Sequence, residues 1–161
     1  MAMNLRIRRA KEEDLPRLVS LWWQLQRAHY EYDLAHYKLA SKGKVCARFR
    51  KHLQKMIHDK ETVFLVADDN SEVLGSLLAR VVDRSPIFYP RQKYAVLDRV
   101  MVDEKHRGKG IYSKLQKQLE RMARDRRAVH IELYVDVANP ALNVYKRSGY
   151  MPRHVTMIKK L

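Results

Sequence analysis

Residues 102–112 read Val102-Asp103-Glu104-Lys105-His106-Arg107-Gly108-Lys109-Gly110-Ile111-Tyr112 and join a predicted strand to a predicted helix. The first N–H groups of a helix have no partner within it, so such a turn aims backbone donors at an anion. Gly108 and Gly110 keep side chains away from these donors, while Arg107 and Lys109 add positive charge. The turn therefore predicts a binding site for a ligand that carries a pyrophosphate.

Two common nucleotide-binding motifs do not match this turn. A dinucleotide fingerprint would need glycine at position 113, where Ser113 stands, and the P-loop pattern is also absent. The spacing Gly-x-Gly by itself is also found in turns that need glycine only for their backbone conformation. The rest of the sequence has to decide between an anion site and an ordinary turn.

Hydrophobic periodicity around the turn predicts alternating strands and helices. A short strand at residues 5–7 precedes a helix whose apolar stripe is Leu15, Leu18, Trp22 and Leu25. The further predicted elements are a helix at 44–59, a hairpin with strands at 61–67 and 73–82, a strand at 94–102, a helix at 111–127, a strand at 129–135, a helix at 141–148 and a terminal strand at 155–158. They predict one α/β (α+β) domain over residues 1–161, in which helices flank a mixed sheet.

Composition narrows the class of protein. The chain has 161 residues, of which 46% are hydrophobic and 32% charged, and its formal net charge is +15. This charge attracts polyanions, so nucleic acid, acidic proteins and phosphorylated cofactors are all possible partners. No apolar run is long enough for a membrane span or a signal peptide, and we expect a cytoplasmic protein without a membrane partner. Because Cys46 is the only cysteine and the histidines lack ligand spacing, we expect no disulfide and no metal.

The order of these features resembles the GNAT superfamily of N-acetyltransferases. The family's cofactor motif is Arg/Gln-x-x-Gly-x-Gly/Ala, placed after a strand and before a long helix. Two registers are possible here, and each departs from the motif at one position: the first has Lys105 in place of Arg/Gln and ends at Gly110, and the second starts at Arg107 and has Tyr112 in place of Gly/Ala. The resemblance also includes the opening residues 7–15, the hairpin, the strand at 97–102 and the late sequence Tyr-Lys-Arg-Ser-Gly-Tyr at 145–150. It implies a GNAT-like, mostly antiparallel sheet with a cofactor-binding β-α unit.

The resemblance implies acetyl-CoA as the acyl donor and assigns residues to its binding. Pantetheine would lie along the strand that contains Val100, Met101 and Val102 and pair with its backbone. The pyrophosphate would bind at Arg107, Gly108, Lys109, Gly110, Ile111 and Tyr112. Asn139 stands one residue from the family's asparagine position, so it is either a cofactor contact or a cap of the following helix.

The resemblance also implies the catalytic groups for transfer of acetyl to a primary amine. Tyr145 matches the family tyrosine that acts as general acid toward the leaving thiolate. A backbone amide of Met101 or Val102 would polarise the thioester carbonyl. Asp98 is the candidate base, with a water relay, or an ion pair of Asp98 with a local arginine such as Arg99, as the alternatives. Glu132 and Asp136 are second choices for the same role.

Other functions and partners remain possible at this stage. Nine Lys and Arg residues lie between positions 105 and 127, so a basic nucleic-acid-binding module is the first alternative, and a non-catalytic scaffold that binds coenzyme A is the second. Residues 30–37, which include Tyr30 and Tyr32 and are predicted to form a loop between the first two helices, and the loop at 84–93 are expected to line the acceptor site. The positive field suits acidic acceptors. A homodimer would be consistent with the family.

Overall fold

A computed structural model describes residues 4–32, 41–83, 85 and 87–159, without the Tyr32 side chain. The strands are β1 (Arg6–Arg9), β2 (Thr62–Asp68), β3 (Val73–Asp83), β4 (Lys93–Val102) and β5 (Ala128–Leu133). The helices are α1 (Leu15–Tyr32), α2 (Lys42–His58), α3 (Ile111–Asp125) and α4 (Ala141–Arg147). Short 3-10 turns at Glu12–Asp14 and Glu104–His106 precede α1 and the glycine turn. The predicted elements up to position 148 are therefore confirmed, with small shifts at their ends.

The five strands form one sheet in the order β1-β2-β3-β4-β5. Neighbours are antiparallel from β1 to β4, and β4 pairs with β5 in parallel. A parallel pair needs a crossover, and α3 supplies it. This arrangement confirms the predicted mixed, mostly antiparallel sheet flanked by helices.

The sheet is covered on both faces, so every residue of β2 and most residues of β3 are buried, and most of them are apolar. On one face, α1 and α2 pack through Leu18, Trp22, Phe49 and Leu53. On the other face, α3 packs through the residues Ile111, Leu115 and Leu119. Each of these three side chains is at most 1% exposed, and burial of one contributes about 1.5–3 kcal/mol to stability. The two helical layers thus form separate hydrophobic cores on opposite faces of the sheet.

Two predictions about local structure were wrong. The predicted strand at 155–158 does not form: residues 151–159 have no regular structure and are all exposed. Alternating apolar residues alone do not make a strand, because a strand also needs a backbone partner. Tyr30 and Tyr32 were expected in a connecting loop, but α1 continues to Tyr32 because no glycine or proline interrupts it after Pro16.

Gly75 allows the first residue of α3 to approach the sheet closely. A Cβ at this position would lie 2.9 Å from both the Ile111 Cγ2 atom and the Met101 carbonyl oxygen. Only a glycine accommodates both neighbours without displacing the backbone of β4. The start of α3 is therefore held against β3 and β4 at the place where the glycine turn ends.

Candidate active site

The strand β4 continues beyond its parallel neighbour. Pairing of β4 with β5 runs from Lys93 opposite Ala128 to Leu97 opposite Leu133, while β4 itself extends to Val102. Among the described residues, no strand covers this side of β4 at positions 98–102. The predicted pantetheine contacts at Val100, Met101 and Val102 all lie in this segment. An unpaired edge presents backbone N–H and C=O groups that an extended ligand can bind.

The glycine turn connects the end of this unpaired segment to α3. Gly108 has φ +74° and Gly110 has φ +77°, values that L side chains rarely adopt, and the space beside both glycines is open. The first helical N–H that bonds back along the chain is that of Lys114, to the Gly110 carbonyl at 3.2 Å. The N–H groups of residues 111–113 are therefore not used by the helix ladder.

The two cations of the turn are exposed beside these donors. The Arg107 Nε atom lies 3.4 Å from the Val102 carbonyl oxygen, which folds its side chain back toward the end of β4. Lys109 stands between the two glycines and is also exposed. Exposed cations next to free helix N–H groups give an anion both charge and hydrogen bonds.

Asp103 anchors the turn, and sequence reasoning did not identify this role. Its Oδ2 accepts from Arg17 Nη2 at 2.7 Å and Gln24 Nε2 at 3.1 Å, and its Oδ1 accepts from the Lys105 N–H at 3.0 Å. Burial opposes ionisation, but the hydrogen bonds from Gln24, Lys105 and Arg17 outweigh it and hold the pKa of Asp103 well below its usual range. The one available signal was an aspartate placed to cap the short turn that follows a strand.

Tyr145 lies in a group of three tyrosines beside α3. Its ring meets Tyr112 edge-on, with centroids 6.0 Å apart, and Tyr150 edge-on at 5.9 Å. Tyr150 is fixed in turn by a 2.9 Å hydrogen bond from Gln116 Nε2 to its hydroxyl. Burial raises the pKa of Tyr145 to about 12, so its phenol is protonated at neutral pH. The two predicted residues Tyr112 and Tyr145, far apart in the sequence, are thus in contact.

Asp98 forms an ion pair with a local arginine, which was one of the alternatives to its predicted role as a base. Its two carboxylate oxygens accept from Arg80 Nε at 2.7 Å and Nη2 at 2.8 Å, whereas Arg99 is not the partner. The second choices lie elsewhere: Glu132 Oε2 is 3.9 Å from His130 Nε2, and Asp136 Oδ1 accepts from the Ala138 N–H at 2.8 Å. Both carboxylate oxygens of Asp98 are therefore held in a bidentate pair that links β4 to Arg80 of β3.

Asn139 caps the start of α4, which is one of the two roles predicted for it. Its Oδ1 accepts from the Ala141 N–H at 2.9 Å, and its carbonyl accepts from the Leu142 N–H at 3.0 Å. The cap leaves the amide NH2 of Asn139 as the group that a cofactor could contact. That contact remains a prediction.

The segments expected to line the acceptor site are described only in part. Tyr30 is half-exposed near the end of α1, while residues 33–40, 84 and 86 lie outside the described residues. The remaining loop before β4 presents three strongly exposed apolar side chains, Ile87, Phe88 and Tyr89. Within the described part of the chain, no three His, Cys, Asp or Glu side chains are grouped to hold a metal, and no helix could span a membrane.

Comparison with solved structures shows that other proteins share this fold. The tetramutant of the BH1408 protein from Bacillus halodurans superposes with a TM-score of 0.86 at 21% identity, over 97% of this chain and 99% of that one. A Bacillus halodurans C-125 protein described as a transcriptional regulator gives 0.75 at 22%, over 98% and 99%. An aminoglycoside acetyltransferase from an uncultured soil metagenomic sample, in complex with sisomicin, gives 0.67 at 19%, over 98% and 97%. These similarities show the fold.

The sequence itself assigns the family. No curated protein matches the chain by sequence. The family model described as Acetyltransferase (GNAT) family matches residues 15–150, from the start of α1 to Tyr150. This match includes β4, the glycine turn, α3 and Tyr145. The chain therefore belongs to the GNAT acetyltransferase family.

Proposed function

We propose that the protein is an N-acetyltransferase that moves the acetyl group of acetyl-CoA to a primary amine of a small molecule, peptide or protein. The observation that carries this proposal is the unpaired segment 98–102 of β4, which leads directly into the glycine turn. One continuous run of backbone thus offers strand pairing at one end and helix N–H donors at the other. This combination suits a ligand with an extended amide arm attached to a pyrophosphate.

The residues of this run fit the donor substrate. Val100, Met101 and Val102 would pair with the pantetheine arm through their backbone. The turn would take the pyrophosphate through the cations of Arg107 and Lys109, the open glycines Gly108 and Gly110, and the free N–H groups at Ile111 and Tyr112. Tyr112 directs its ring toward Tyr145, so its side chain does not obstruct the turn.

The transfer needs three contributions from the protein: stabilisation of the carbonyl oxygen, a proton for the leaving sulfur, and placement of the amine so that it can lose its proton. Acetyl-CoA supplies a thioester, whose carbonyl carbon the amine nitrogen attacks while the carbon–sulfur bond breaks. The N–H of Met101 or Val102 would stabilise the negative charge on the carbonyl oxygen. The protonated hydroxyl of Tyr145 would donate to the departing sulfur.

Asp98 is the candidate for handling the proton of the amine. Both of its carboxylate oxygens already accept hydrogen bonds from Arg80, so neither oxygen is free to take a proton without giving up part of this pair. We therefore propose that Asp98 orients the amine and that water carries the proton away. Replacement of this aspartate would then affect binding of the amine more than the chemical step.

Titration calorimetry with acetyl-CoA tests the proposed function. We expect saturable one-site binding by the wild-type protein and binding about 10- to 100-fold weaker in Gly110→Val, because valine strains a backbone with positive φ at the turn. Gly43→Val is the matched control, since Gly43 also has open space around its Cβ position but no positive φ. This control should bind like the wild type.

Two other outcomes would point to the alternative functions. Absence of acetyl-CoA binding by folded wild-type protein would contradict the proposal. Nucleic-acid binding would then be the next candidate, because α2 carries six exposed Lys and Arg residues and no acidic residue. Binding of acetyl-CoA without acetylation of any amine in a broad panel would instead indicate a non-catalytic scaffold.

We also propose that the protein is a homodimer, held together partly by its C-terminal segment. Among the described residues, β5 pairs only with β4 and is therefore a sheet edge. Exposed apolar side chains lie near this edge and in the C-terminal segment; they are Val129, Tyr134, Val137, Met151, Val155, Met157 and Ile158. The apolar C-terminal segment of one copy could pair with the free edge of β5 in a second copy. A dimer would in this way cover the exposed apolar side chains and supply the missing strand partner.

Light scattering during gel filtration tests this assembly. We expect a dimer for the wild type and a monomer for the double variant Val155→Asp/Met157→Asp. Burial of unpaired carboxylates in a dimer interface is strongly unfavourable, so the interface should not form. Phe88→Asp is the control, since Phe88 is 91% exposed but belongs to the loop before β4 and not to β5 or the C-terminal segment. A monomeric wild type, or a dimeric double variant, would refute the proposal.

A further inference from the structure

A β-bulge places two consecutive charged residues of β4 on the same face of the sheet. Arg99 pairs with Leu78 of β3 and Leu97 with Ala79, which leaves Asp98 as the extra residue between them. Normal alternation would send Asp98 and Arg99 to opposite faces. Instead, Asp98 reaches Arg80 and Arg99 lies over Phe49 of α2, both on the side of the α1 and α2 layer.

Arg99 is a half-buried cation without a carboxylate partner in the part of the chain that the structure describes. Its guanidinium lies 5.0 Å from the centroid of the Phe49 ring, and that ring is itself stacked on Trp22 at 4.1 Å. Burial lowers the pKa of the Arg99 guanidinium, and the charge of neighbouring Asp98 offsets this only in part. A cation in such a position usually has an anion beside it.

This cation belongs to the segment where the acyl transfer is proposed to occur. Arg99 is one residue from Val100, within the unpaired edge of β4. The glycine turn leads to α3 on the opposite face, so the α2 face is left for the molecule that receives the acetyl group. Burial and the charge of Arg99 lower the pKa of the neighbouring His52, which favours its neutral form, so this ring neither pairs with Arg99 nor repels it.

We propose that the acceptor is an amine that also carries a carboxylate, as in a free amino acid, with the carboxylate on Arg99 and the amine directed toward Asp98. This inference depends on the proposed acetyltransferase function and specifies its substrate class. The adjacent side chains of opposite charge match the two charges of a zwitterion. The rigid Phe49–Trp22 stack fixes the cation, which limits the entropy lost when a carboxylate binds.

Matched acceptors test the proposal. A panel of L-amino acids and their carboxamides, assayed by release of the coenzyme thiol, compares the same amine with and without a carboxylate. We expect Arg99→Met to reduce the preference for the carboxylate over the carboxamide by about 10- to 100-fold in kcat/KM, the usual effect of one charged hydrogen bond. Arg48→Met removes the same charge from an exposed position on α2 and should keep the preference.

A measurement of stability separates a binding role from a structural one. In sodium chloride, Arg99→Met should melt at the same temperature as the wild type or higher, since the variant loses an uncompensated cation and methionine can still pack on Phe49. Sodium L-glutamate at equal ionic strength should raise the melting temperature of the wild type and of Arg48→Met more than that of Arg99→Met. A clear fall in melting temperature of Arg99→Met in chloride would assign Arg99 to the fold instead.

The remaining outcomes are also decisive. An unchanged carboxylate preference in Arg99→Met, or a wild type that prefers carboxamides or polycationic amines, would overturn the inference. If the wild type fails to bind acetyl-CoA, the proposed function fails, and the glutamate-dependent stabilisation still decides whether Arg99 binds a carboxylate. Equal stabilisation of all three proteins by glutamate would refute the site.

Discussion

Tyr145→Phe should lower kcat by about 10²- to 10⁴-fold, the usual contribution of a positioned general acid, while acetyl-CoA affinity changes little. The ring of Tyr145 would keep its edge-on contacts with Tyr112 and Tyr150. Its hydroxyl makes no hydrogen bond to any residue within the described ranges, so its removal should leave the fold intact. The measurement is steady-state kinetics with any amine that supports thiol release by the wild type.

Tyr150→Phe is the matched control for this result. It removes a hydroxyl from the same aromatic group, but that hydroxyl is bonded to Gln116 and has no proposed part in the reaction. We expect a small loss of stability, about 0.5–1.5 kcal/mol, and a kcat close to that of the wild type. Equal kcat values for Tyr145→Phe and the wild type would remove Tyr145 from the mechanism.

The pH profile gives a second test of Tyr145. Because burial raises its pKa to about 12, the phenol remains protonated throughout the pH range in which the protein would be assayed. The wild-type kcat should therefore show no decline due to Tyr145 between about pH 7 and pH 10. A decline in that range that disappears in Tyr145→Phe would contradict the assignment of this pKa.

Asp103→Ala should reduce the free energy of unfolding by about 2–5 kcal/mol, because it removes the buried carboxylate that accepts from Arg17 Nη2, Gln24 Nε2 and the Lys105 N–H. Asp103 is only 4% exposed and connects α1 to the end of β4. Urea denaturation followed by circular dichroism measures the change. Glu104→Ala, at the exposed neighbouring position, should alter stability by about 0.5 kcal/mol or less.

Acid sensitivity should follow from the same carboxylate. The pKa of Asp103 is lower in the folded protein than in the unfolded chain, so its stabilising effect is complete above the unfolded value of about 4. That contribution is lost progressively as the pH falls from this value toward the folded pKa. Asp103→Asn keeps an acceptor oxygen but not the charge, and should show a shallower loss of stability on acidification. If wild type and Asp103→Asn lose stability equally steeply as the pH falls, groups other than Asp103 cause the acid sensitivity.

The sequence alone was sufficient to predict most of the secondary structure, the character of the glycine turn and the family. Apolar periodicity predicted α3 and the β2–β3 hairpin, because helix and strand periods depend only on residues near one another in the chain. Gly108 and Gly110, beside Arg107 and Lys109, predicted an open, positively charged turn, and their positive φ values agree with that prediction. The family could also be recognised at this level, since its motifs follow one another along the chain.

Only the tertiary structure decided which distant groups meet. The contact of Tyr112 with Tyr145, the anchoring of Asp103 by Arg17, and the pairing of Asp98 with Arg80 all depend on the register and packing of separate elements. The bulge that turns Asp98 and Arg99 to one face follows from how β4 pairs with β3, and the isolated β4 sequence has no signal for it. The same reason explains the missing strand at 155–158. Its alternating side chains are a local property, but a strand forms only where another strand's backbone is available to pair with it.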